Sequence, residues 1–524
     1  MTNNSNHYDY IIIGSGFGGS VSALRLSEKG YKVLVIEKGK WFEANDFAKT
    51  NWNLKKWLWM PKLRFFGIMK MSVFKHIVVV SGTGVGGGSL VYANTLPIPK
   101  TPFYKTGSWA ALADWENDLR PYYQTALKML GASPNQRLYD GDLALKQLSK
   151  NLNIGNQFEH PNVAVYFGKE NEKVRDPYFN GKGPDRVGCN FCGGCMTGCR
   201  HNSKNTLDKN YLYLAQQLGA EILAENEVYN VEPLDKLAGK TGYKIRVRSS
   251  TKFFKKKRYF TANGLVFSGG VLGTVKLLLK LKLKSLPNLS DKLGDDIRTN
   301  NETLISVSTL DNNKDFSKGV AIGSLLHTDE HSHLEIVRYS AGSGFWRFSH
   351  LPLAIGKNTP SRLLNMFVNV LKSPLSYLKI YTKSWSKHTA VLLFMQSIDS
   401  TLKFKRNAFG SLKTSVSFGV KPTPNIPESI ELTKKYAEIV NGKATSFALE
   451  SLAGIPSTAH ILGGAVMGDE ASTGVINKNN EVFNYENMLV VDGSMISANP
   501  GVNPSLSITA IAEHAMAQIS DKSL

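Results

Sequence analysis

The sequence lacks three features that would each assign it to another class of protein. No apolar run reaches the about 18 residues that a membrane-spanning helix needs, and the polar start at residues 1–7 has no charged region followed by an apolar export signal. Cysteine is nearly absent: the sequence has only four, and all of them fall between residues 189 and 199. We therefore expect a cytoplasmic protein without disulfides, and any membrane contact would be peripheral, at the surface.

Acidic residues are missing from two long segments. Residues 47–113 contain no Asp or Glu and nine Lys or Arg, and residues 336–398 contain none and eight, within a formal net charge of +21. Both segments are also rich in aromatic and apolar residues. A basic surface interleaved with Trp, Phe and Leu favours an anionic membrane as partner. We expect no nucleic-acid partner, because the positive charge is confined to these two apolar segments.

The N-terminal sequence is typical of a dinucleotide-binding unit. An apolar, β-rich run at residues 8–13 ends in the turn Gly14-Ser15-Gly16-Phe17-Gly18-Gly19, which opens a helical pattern. In this G-x-G-x-x-G arrangement the first glycine makes the turn, the second lets the backbone approach a pyrophosphate, and the third permits close helix packing. A second strand at residues 32–36 leads to Glu37, whose carboxylate can accept ribose hydroxyls. The unit fits both NAD and FAD.

A second glycine cluster and the C-terminal segment distinguish between these cofactors. The cluster reads Ser81-Gly82-Thr83-Gly84-Val85-Gly86-Gly87-Gly88-Ser89 and leads through residues 90–93 to Asn94. The C-terminal segment reads Thr458-Ala459-His460, then Val490-Val491-Asp492-Gly493-Ser494, then Gly501-Val502-Asn503-Pro504. Together they resemble the flavin-facing loop and the closing segment of the glucose-methanol-choline (GMC) oxidoreductases, and in particular their cholesterol-oxidase-like branch.

The resemblance implies an FAD site and a two-domain fold. The implied cofactor-binding residues are Gly14, Gly16, Gly19, Glu37, Gly84, Gly86, Gly87, Ser89, Asn94, Val228, Gly269, Asp492 and Pro504. Asp492 is implied to contact the flavin chain, and Val228 the adenine. The implied fold is α/β: a doubly wound, Rossmann-type FAD-binding domain of discontinuous segments, joined to an α+β substrate domain. The first comprises residues 1–100, 200–300 and 455–524, and the second comprises residues 101–199 and 301–454.

His460 and Asn503 are the implied catalytic pair. Oxidising an alcohol by hydride transfer needs a group that takes the hydroxyl proton and a group that fixes the oxygen. By resemblance, His460 is the base or hydrogen-bonding partner of the hydroxyl group, and Asn503 orients its oxygen. We therefore expect FAD-dependent oxidation of a sterol-like or other lipophilic alcohol, with oxygen or an external electron acceptor. The alternatives are a lyase or decarboxylase on the same scaffold, and a non-catalytic, FAD-bound lipid-binding module.

The four cysteines form a compact motif with two interpretations. Cys189, Cys192, Cys195 and Cys199 follow the spacing C-x2-C-x2-C-x3-C, which is typical of iron-sulfur ligands. Zinc fits poorly, because the motif lacks a second C-x2-C or a His pair. The other interpretation is a loop of buried or free thiols that packs against the FAD segment. The sequence favours the iron-sulfur cluster and the thiol loop equally.

Two basic, apolar segments predict a rim around the substrate domain. From Arg362 to Lys383, polar residues recur every three or four positions within a broad apolar surface, and Pro374 should kink or divide this helix. Residues 52–70 combine Trp and Phe with Lys and Arg in a similar way. Ordinary buried helices with a solvated basic stripe are the alternative. We expect the rim to dock on anionic lipid and to open onto the active site.

Overall fold

Two large β-sheets and the helices around them organise the protein, which a computed structural model describes over residues 6–407 and 409–523. The first five residues, part of the polar start, lie outside these ranges. Within them the α-helices are Phe17–Glu28, Leu54–Trp57, Trp115–Asp118, Arg120–Met129, Asp140–Asn151, Tyr211–Gln217, Val271–Lys282, Thr359–Lys372, Pro374–Thr382, Trp385–His388, Pro427–Ile439, Ala448–Ala453 and Ser505–Ala517. None of the helices in this part of the chain is long and apolar enough to cross a membrane.

The first sheet is built around the N-terminal strand. Its strands, in spatial order, are Glu221–Leu223, Val33–Ile36, His7–Ile13, Lys257–Phe267, Tyr243–Ser249 and Asn226–Pro233, and Met488–Val490 pairs with the end of Lys257–Phe267. Both neighbours of the N-terminal strand run parallel to it. Its residues Ile11 and Ile12 are fully buried, as expected for parallel strands that helices cover on both faces. The predicted doubly wound domain is confirmed.

The second sheet is antiparallel throughout. Its strands, in spatial order, are His350–Pro352, Gly442–Phe447, Thr303–Thr309, Thr389–Gln396, Ser332–Val337, Ile322–His327 and Phe158–Glu159. Successive residues point to opposite faces: Leu392 and Phe394 pack with helices Asp140–Asn151 and Pro427–Ile439. Val391 and Leu393 pack instead with Trp346 and Trp385. The second face therefore remains available as the wall of a cavity.

A small third sheet brings the two halves of the sequence together. Strand Met69–Val73 pairs with Val78–Gly82, which pairs in parallel with Ser457–Thr458. This pairing places the segment before His460 directly beside the second glycine cluster. A hairpin of strands Thr401–Arg406 and Leu412–Phe418 packs on helix Val271–Lys282 and shares a small core with Ile77 and Val79.

Part of the segment that the sequence assigns to the substrate domain packs on the first sheet's domain. Trp109 and Trp115 stack with ring centroids 4.7 Å apart and belong to the same core as the N-terminal strand. Helix Arg120–Met129 packs against Ser505–Ala517, and Tyr123 donates a hydrogen bond to Ser507. Residues from about 103 to 130 therefore cover the first domain, although their numbers fall in the predicted second one.

The predicted rim helix is present, and Pro374 divides it. One helix ends at Lys372 and the next begins at Pro374. Six side chains at or near these helices, which we call the apolar patch, are each at least 60% exposed: Phe348, Leu364, Phe367, Leu371, Leu375 and Leu378. Lys372 and Lys379 are exposed beside them.

One detail of the predicted rim is wrong, and another holds only in part. Arg362 is buried, because its guanidinium donates to the carbonyl oxygens of Ser451 and Leu452 at 2.9 and 3.1 Å. It therefore fastens the rim to helix Ala448–Ala453 and is not part of a solvated stripe. The second segment is divided between core and surface: Met60 and Leu63 are exposed, but Trp57 is fully buried and meets Trp346 edge-on, with ring centroids 5.3 Å apart. Trp52 is half-exposed and contacts Phe348 of the apolar patch.

Candidate active site

A cavity of about 320 Å³ lies at the carboxyl ends of the parallel strands, where open α/β sheets bind their ligands. Of the predicted cofactor residues, Gly14, Gly16, Glu37, Gly87, Val228 and Gly269 line it. Gly14 adopts φ +107°, and a Cβ there would lie 2.2 Å from the carbonyl oxygen of Ser268. The turn therefore needs glycine. A Cβ on Gly16 would meet nothing within 4 Å, so the backbone there is open to a ligand.

Glu37 holds the glycine turn as well as lining the cavity. Its Oε2 accepts hydrogen bonds from Ser15 N at 3.2 Å and Ser15 Oγ at 2.8 Å, and its Oε1 accepts from Gly39 N at 2.8 Å. The carboxylate is buried. Because Oε1 accepts only one hydrogen bond and retains a second lone pair, the same group can accept a ribose hydroxyl without releasing the turn.

Five predicted cofactor residues support the cavity from behind and do not line it. They are Gly19, Gly84, Gly86, Ser89 and Asn94. A Cβ on Gly19 would lie 2.2 Å from the carbonyl oxygen of Gly14, so this glycine permits helix packing, as the motif predicts. Ser89 Oγ donates to the Gly86 carbonyl and accepts from Leu207 N. Asn94 is fully buried at φ +74°, and neither polar atom of its side chain has a hydrogen-bond partner.

The charges around the cavity fit a dinucleotide diphosphate. Lys38, Lys70 and Lys276 line it together. Repulsion from Lys38, burial, and repulsion from Lys276 lower the pKa of Lys70 to about 7. The start of helix Phe17–Glu28 adds unpaired backbone N–H groups. An anionic group held here would relieve the repulsion among the lysines, so the residues fit FAD.

A second cavity, of about 420 Å³, continues from the first towards the second sheet. His460, Asn503, Asp492 and Pro504 line it, and Gly16 and Gly269 line both cavities. Most of its wall is apolar: Met69, Val80, Val91, Ile322, Val337, Tyr339, Trp346, Trp385, Val391, Leu393 and Phe447. The predicted catalytic pair thus stands at the polar end of an apolar chamber.

His460 is paired with a buried glutamate that the sequence does not reveal. Its Nδ1 lies 2.9 Å from Oε2 of Glu302. Glu302 Oε1 also accepts hydrogen bonds from Thr458 Oγ1 and Ala459 N, so the loop that carries the histidine is bound to the same carboxylate. Burial alone would lower the pKa of His460, but the charge and hydrogen bond of Glu302, with the charge of Glu335, raise it above its ordinary value.

Asn503 is held by a second buried glutamate. Its Nδ2 donates to Oε2 of Glu335 at 3.3 Å, and its Oδ1 is buried without a partner. The preceding turn is fixed as well, because Asn300 Nδ2 donates to the Val502 carbonyl at 2.8 Å. Glu335 could have been found from the sequence, because it is the one carboxylate in the largely apolar strand Ser332–Val337. Such groups are seldom buried without a partner.

Asp492 is fixed at the junction of the two cavities. Its Oδ2 accepts from Thr274 Oγ1 at 2.5 Å, and its Oδ1 accepts from Ser494 N at 2.8 Å. Burial raises the pKa of Asp492, although these hydrogen bonds act to lower it. The side chain is thereby oriented at the start of helix Val271–Lys282, near Gly269 and Gly270.

The cysteine loop is a packed loop next to the FAD segment. All four cysteines are free thiols, and burial raises the pKa of Cys189, Cys192 and Cys195, that of Cys192 to about 11. Over residues 6–407 and 409–523, no group of three or more His, Cys, Asp or Glu side chains is placed to hold a metal ion. Lys204 joins the loop to the second glycine cluster, because its Nζ donates to the carbonyls of Leu90, Tyr92 and Cys195. The loop thus packs against the second glycine cluster, and the iron-sulfur cluster stays a prediction without support.

Three features together are typical of a flavin-dependent oxidoreductase that acts on alcohols. They are the glycine turn on a parallel sheet, the cavity lined by lysines, and the adjoining chamber with a histidine. Models of the GMC oxidoreductase family match residues 8–293 and 412–512. The chain belongs to the GMC oxidoreductase family. The predictions of FAD as cofactor and of an enzyme acting on CH–OH groups are confirmed, and the lyase, decarboxylase and non-catalytic alternatives find no support.

Full-length relatives agree with this assignment. A cholesterol oxidase of Acinetobacter baumannii is 43% identical over 100% of this chain and 96% of its own. A cholesterol oxidase of Mycobacterium tuberculosis is 41% identical over 97% of this chain and 90% of its own. A long-chain-alcohol oxidase of Arabidopsis thaliana is 24% identical over 96% of this chain and 66% of its own. The crystal structure of pyridoxine 4-oxidase from Mesorbium loti shares the fold, with a TM-score of 0.61, 13% identity and coverage of 97% and 98%.

Proposed function

We propose that the chain oxidises a sterol-like or other lipophilic alcohol to the carbonyl compound, with oxygen as electron acceptor. The observation that carries the proposal is the apolar chamber of about 420 Å³ with His460 and Asn503 at its polar end. The flavin ring must also fit in this chamber, because Asp492 and Pro504 line it. The apolar wall, and not the volume, therefore points to a lipid. The relatives named as cholesterol oxidases and as a long-chain-alcohol oxidase act on large apolar alcohols and on oxygen, which supports the same substrate class and acceptor here.

His460 receives the proton of the hydroxyl group in this proposal. Glu302, 2.9 Å from Nδ1, keeps the proton of the neutral ring on that nitrogen, and Nε2 is then the nitrogen that can accept. The amide of Asn503, held by Glu335, positions the oxygen of the alcohol. Bound FAD supplies the hydride acceptor. The two carboxylates thereby fix the geometry before the alcohol arrives.

The far wall of the chamber contains a histidine that stays uncharged. His350 Nδ1 bonds the Trp346 carbonyl at 2.7 Å, and Nε2 bonds Ser306 Oγ at 2.9 Å. Burial lowers the pKa of His350 to about 4, and its ring lies 4.5 Å from that of Phe447. Because His350 is neutral and surrounded by aromatic rings, this wall places no unpaired charge against an apolar substrate. It therefore suits a hydrocarbon ring system better than a sugar.

The apolar patch supports delivery of the substrate from a membrane surface. Arg362 fastens helix Thr359–Lys372 to helix Ala448–Ala453, whose first residues, Ala448 and Leu449, line the chamber. Helix Ala448–Ala453 therefore lies between the helix that carries part of the patch and the chamber. Exposed leucines and phenylalanines flanked by Lys372 and Lys379 combine apolar insertion with attraction to anionic lipid.

An anaerobic spectral titration tests the proposed function. Purified holoenzyme is mixed without oxygen with a sterol, a long-chain alcohol and a sugar in turn, and the flavin absorbance is followed. We expect bleaching by the sterol or the long-chain alcohol, and H2O2 when air is admitted. Bleaching by the sugar alone would contradict the substrate class, and reduced flavin that persists in air would contradict oxygen as the acceptor.

A further inference from the structure

Positive charge is not confined to the two acid-free segments described above. Residues 236–290, in the first domain, contain no Asp or Glu and fourteen Lys or Arg. The charge is densest at the turn between strands Tyr243–Ser249 and Lys257–Phe267, over residues 252–258, which we call the basic loop. It carries Lys252, Lys255, Lys256, Lys257 and Arg258. A further basic surface therefore lies outside the predicted rim.

Two phenylalanines are left in water at the tip of the basic loop. Phe253 and Phe254 are 77% and 84% exposed, and their rings meet edge-on with centroids 5.2 Å apart. The base of the loop is fixed, because Thr251 Oγ1 donates to Glu225 Oε1 at 2.7 Å and Ser250 N donates to the Glu225 carbonyl at 3.0 Å. A fixed base with an exposed aromatic tip is typical of a contact surface, since large apolar side chains grouped in water mark interaction sites.

The basic loop adjoins the exposed part of residues 52–70. Thr251, at its base, lies across an open groove from that segment. The lining of the groove includes Lys40, Lys55, Leu63, Arg64, Phe65 and Phe66. At its start the segment reaches the apolar patch, because Trp52 meets Phe348 edge-on with ring centroids 5.7 Å apart. The patch, the segment and the basic loop are therefore successive neighbours on the surface.

An anionic lipid surface matches this set of side chains better than a nucleic acid does. Single-stranded nucleic acids stack their bases on aromatic faces beside basic grooves. Phe253 and Phe254 stand edge-on to each other, and neither Leu63 nor the leucines of the patch can stack on a base. Phenylalanine and leucine instead enter the boundary between headgroups and acyl chains, where Lys and Arg are attracted to anionic headgroups.

We propose that the basic loop is a second contact with anionic lipid, which docks the first domain on the membrane that the apolar patch meets. The inference rests on the proposed delivery of substrate from a membrane surface. When one contact is made, the other is held close to the same membrane, so the two together bind more tightly than either alone. Contacts on both domains also fix the orientation of the protein on the bilayer, whereas the patch alone would leave it free to tilt.

Lys252→Gln, Lys255→Gln and Lys256→Gln together test the contact in the holoenzyme. Sedimentation with vesicles of phosphatidylcholine and a rising share of phosphatidylserine, without sterol, gives the apparent Kd. We expect the Kd to rise about a hundredfold at low salt, at about fivefold for each charge. Phe253→Ser with Phe254→Ser should raise it at least about tenfold. The basic loop lines neither cavity, so both variants should keep the flavin spectrum.

The turn at the other end of strand Tyr243–Ser249 supplies a matched control. Lys236, Leu237 and Lys240 are exposed there, so Lys236→Gln with Leu237→Ser and Lys240→Gln changes similar side chains away from the basic loop. This variant should bind vesicles as the wild type does. Hydrogen exchange locates the contact directly: added phosphatidylserine vesicles should slow exchange of the amides in the basic loop and leave those of the control turn unchanged.

Equal sedimentation of the wild type and both loop variants, or an equal loss in the control variant, would overturn the second contact. Binding to a single-stranded oligonucleotide that exceeds binding to vesicles, and that the lysine variant loses, would overturn it as well. Failure of the proposed function looks different, because the wild-type flavin would then not bleach with any lipophilic alcohol, whatever the vesicles show.

Discussion

At the scale of single residues, the catalytic pair depends on two carboxylates from other elements. Glu302 immediately precedes strand Thr303–Thr309 of the second sheet and reaches His460. Glu335 reaches Asn503 from strand Ser332–Val337 of the same sheet. Each pairing joins residues more than 150 positions apart in the chain. The substrate domain therefore holds the two groups that the C-terminal segment presents to the flavin.

Removing either member of the pair should stop chemistry without releasing FAD. His460→Ala and Asn503→Ala leave the dinucleotide cavity intact, and proton-transfer groups contribute about 10²–10⁴-fold. We expect the rate of flavin reduction by substrate to fall by at least about tenfold in both variants, while the flavin spectrum is retained. A smaller loss in both, measured anaerobically by stopped flow, would exclude the pair from catalysis.

Glu302→Gln should shift the pH dependence of flavin reduction. His460 acts as base only when neutral, so the rate rises with pH through its pKa, which Glu302 raises. Glutamine keeps the shape and an acceptor oxygen but removes the charge, so the pKa falls and the acid limb should move to lower pH. Glu450→Gln is the matched control, because Glu450 is also buried near Ser457 but does not contact His460. An acid limb shifted equally in both variants would argue against the Glu302 pairing.

Sequence reasoning named the proposed catalytic pair and missed its carboxylate partners for a physical reason. His460 and Asn503 lie in glycine- and proline-rich turns that are legible as motifs, whereas Glu302 and Glu335 acquire meaning only when a sheet places them opposite those turns. The prediction for Arg362 was wrong for a different reason. Its helical position puts it among the polar residues, but its long side chain reaches backbone carbonyls of a helix about 90 residues further along.

At the scale of elements, the two rim helices present the apolar patch on which the proposed docking to a lipid surface depends. Their periodicity and their break at Pro374 were predictable from the sequence. The sequence did not predict that the apolar side of these helices faces outward, because an apolar helical face is buried whenever another element packs on it. In residues 52–70, Trp346 and Phe345 cover Trp57, whereas Met60 and Leu63 stay exposed. Part of a pattern that looks the same in sequence thus became core.

Replacing exposed residues of the patch should weaken membrane binding. Burying a large apolar side chain is worth about 1.5–3 kcal/mol, so Phe367→Ser with Leu371→Ser should reduce partition into anionic liposomes by about a hundredfold or more. Lys372→Gln with Lys379→Gln should remove most of the salt dependence, at about 1 kcal/mol for each charge. Leu143→Ser with Leu218→Ser, two exposed leucines on other helices, is the control. Liposome sedimentation that is equal in all variants would leave the patch without this role.

At the scale of the whole molecule, FAD is a structural component. Its cavity is lined by residues from Ile13 to Arg406 and Gly410, and the adjoining chamber by residues up to Ile508. Both large sheets, the small third sheet and the hairpin Thr401–Phe418 converge there. A ligand in contact with so many separate segments stabilises the native state of all of them.

FAD should therefore raise the thermal stability of the protein with the logarithm of its free concentration once that concentration exceeds the Kd. A ligand at about 100 times its Kd stabilises by about 2.7 kcal/mol, so the Tm should rise steadily as FAD is added to the apoprotein in a calorimeter. Glu37→Ala should lower the Tm of the apoprotein, because three hydrogen bonds of the glycine turn are lost. It should also reduce the rise that FAD produces. An unreduced rise would show that the carboxylate serves the turn alone.

The late arrival of strand Met488–Val490 sets the timing of folding during synthesis. This strand pairs with Leu265–Phe267 of the first sheet, but about 220 residues separate the two in the chain. At about 5–20 residues per second, the ribosome needs about 10–45 s to supply it. Until then the edge at Leu265–Phe267 stays unpaired, and such edges invite pairing with foreign strands. The growing chain thus has a defined interval in which a chaperone is of most use to it.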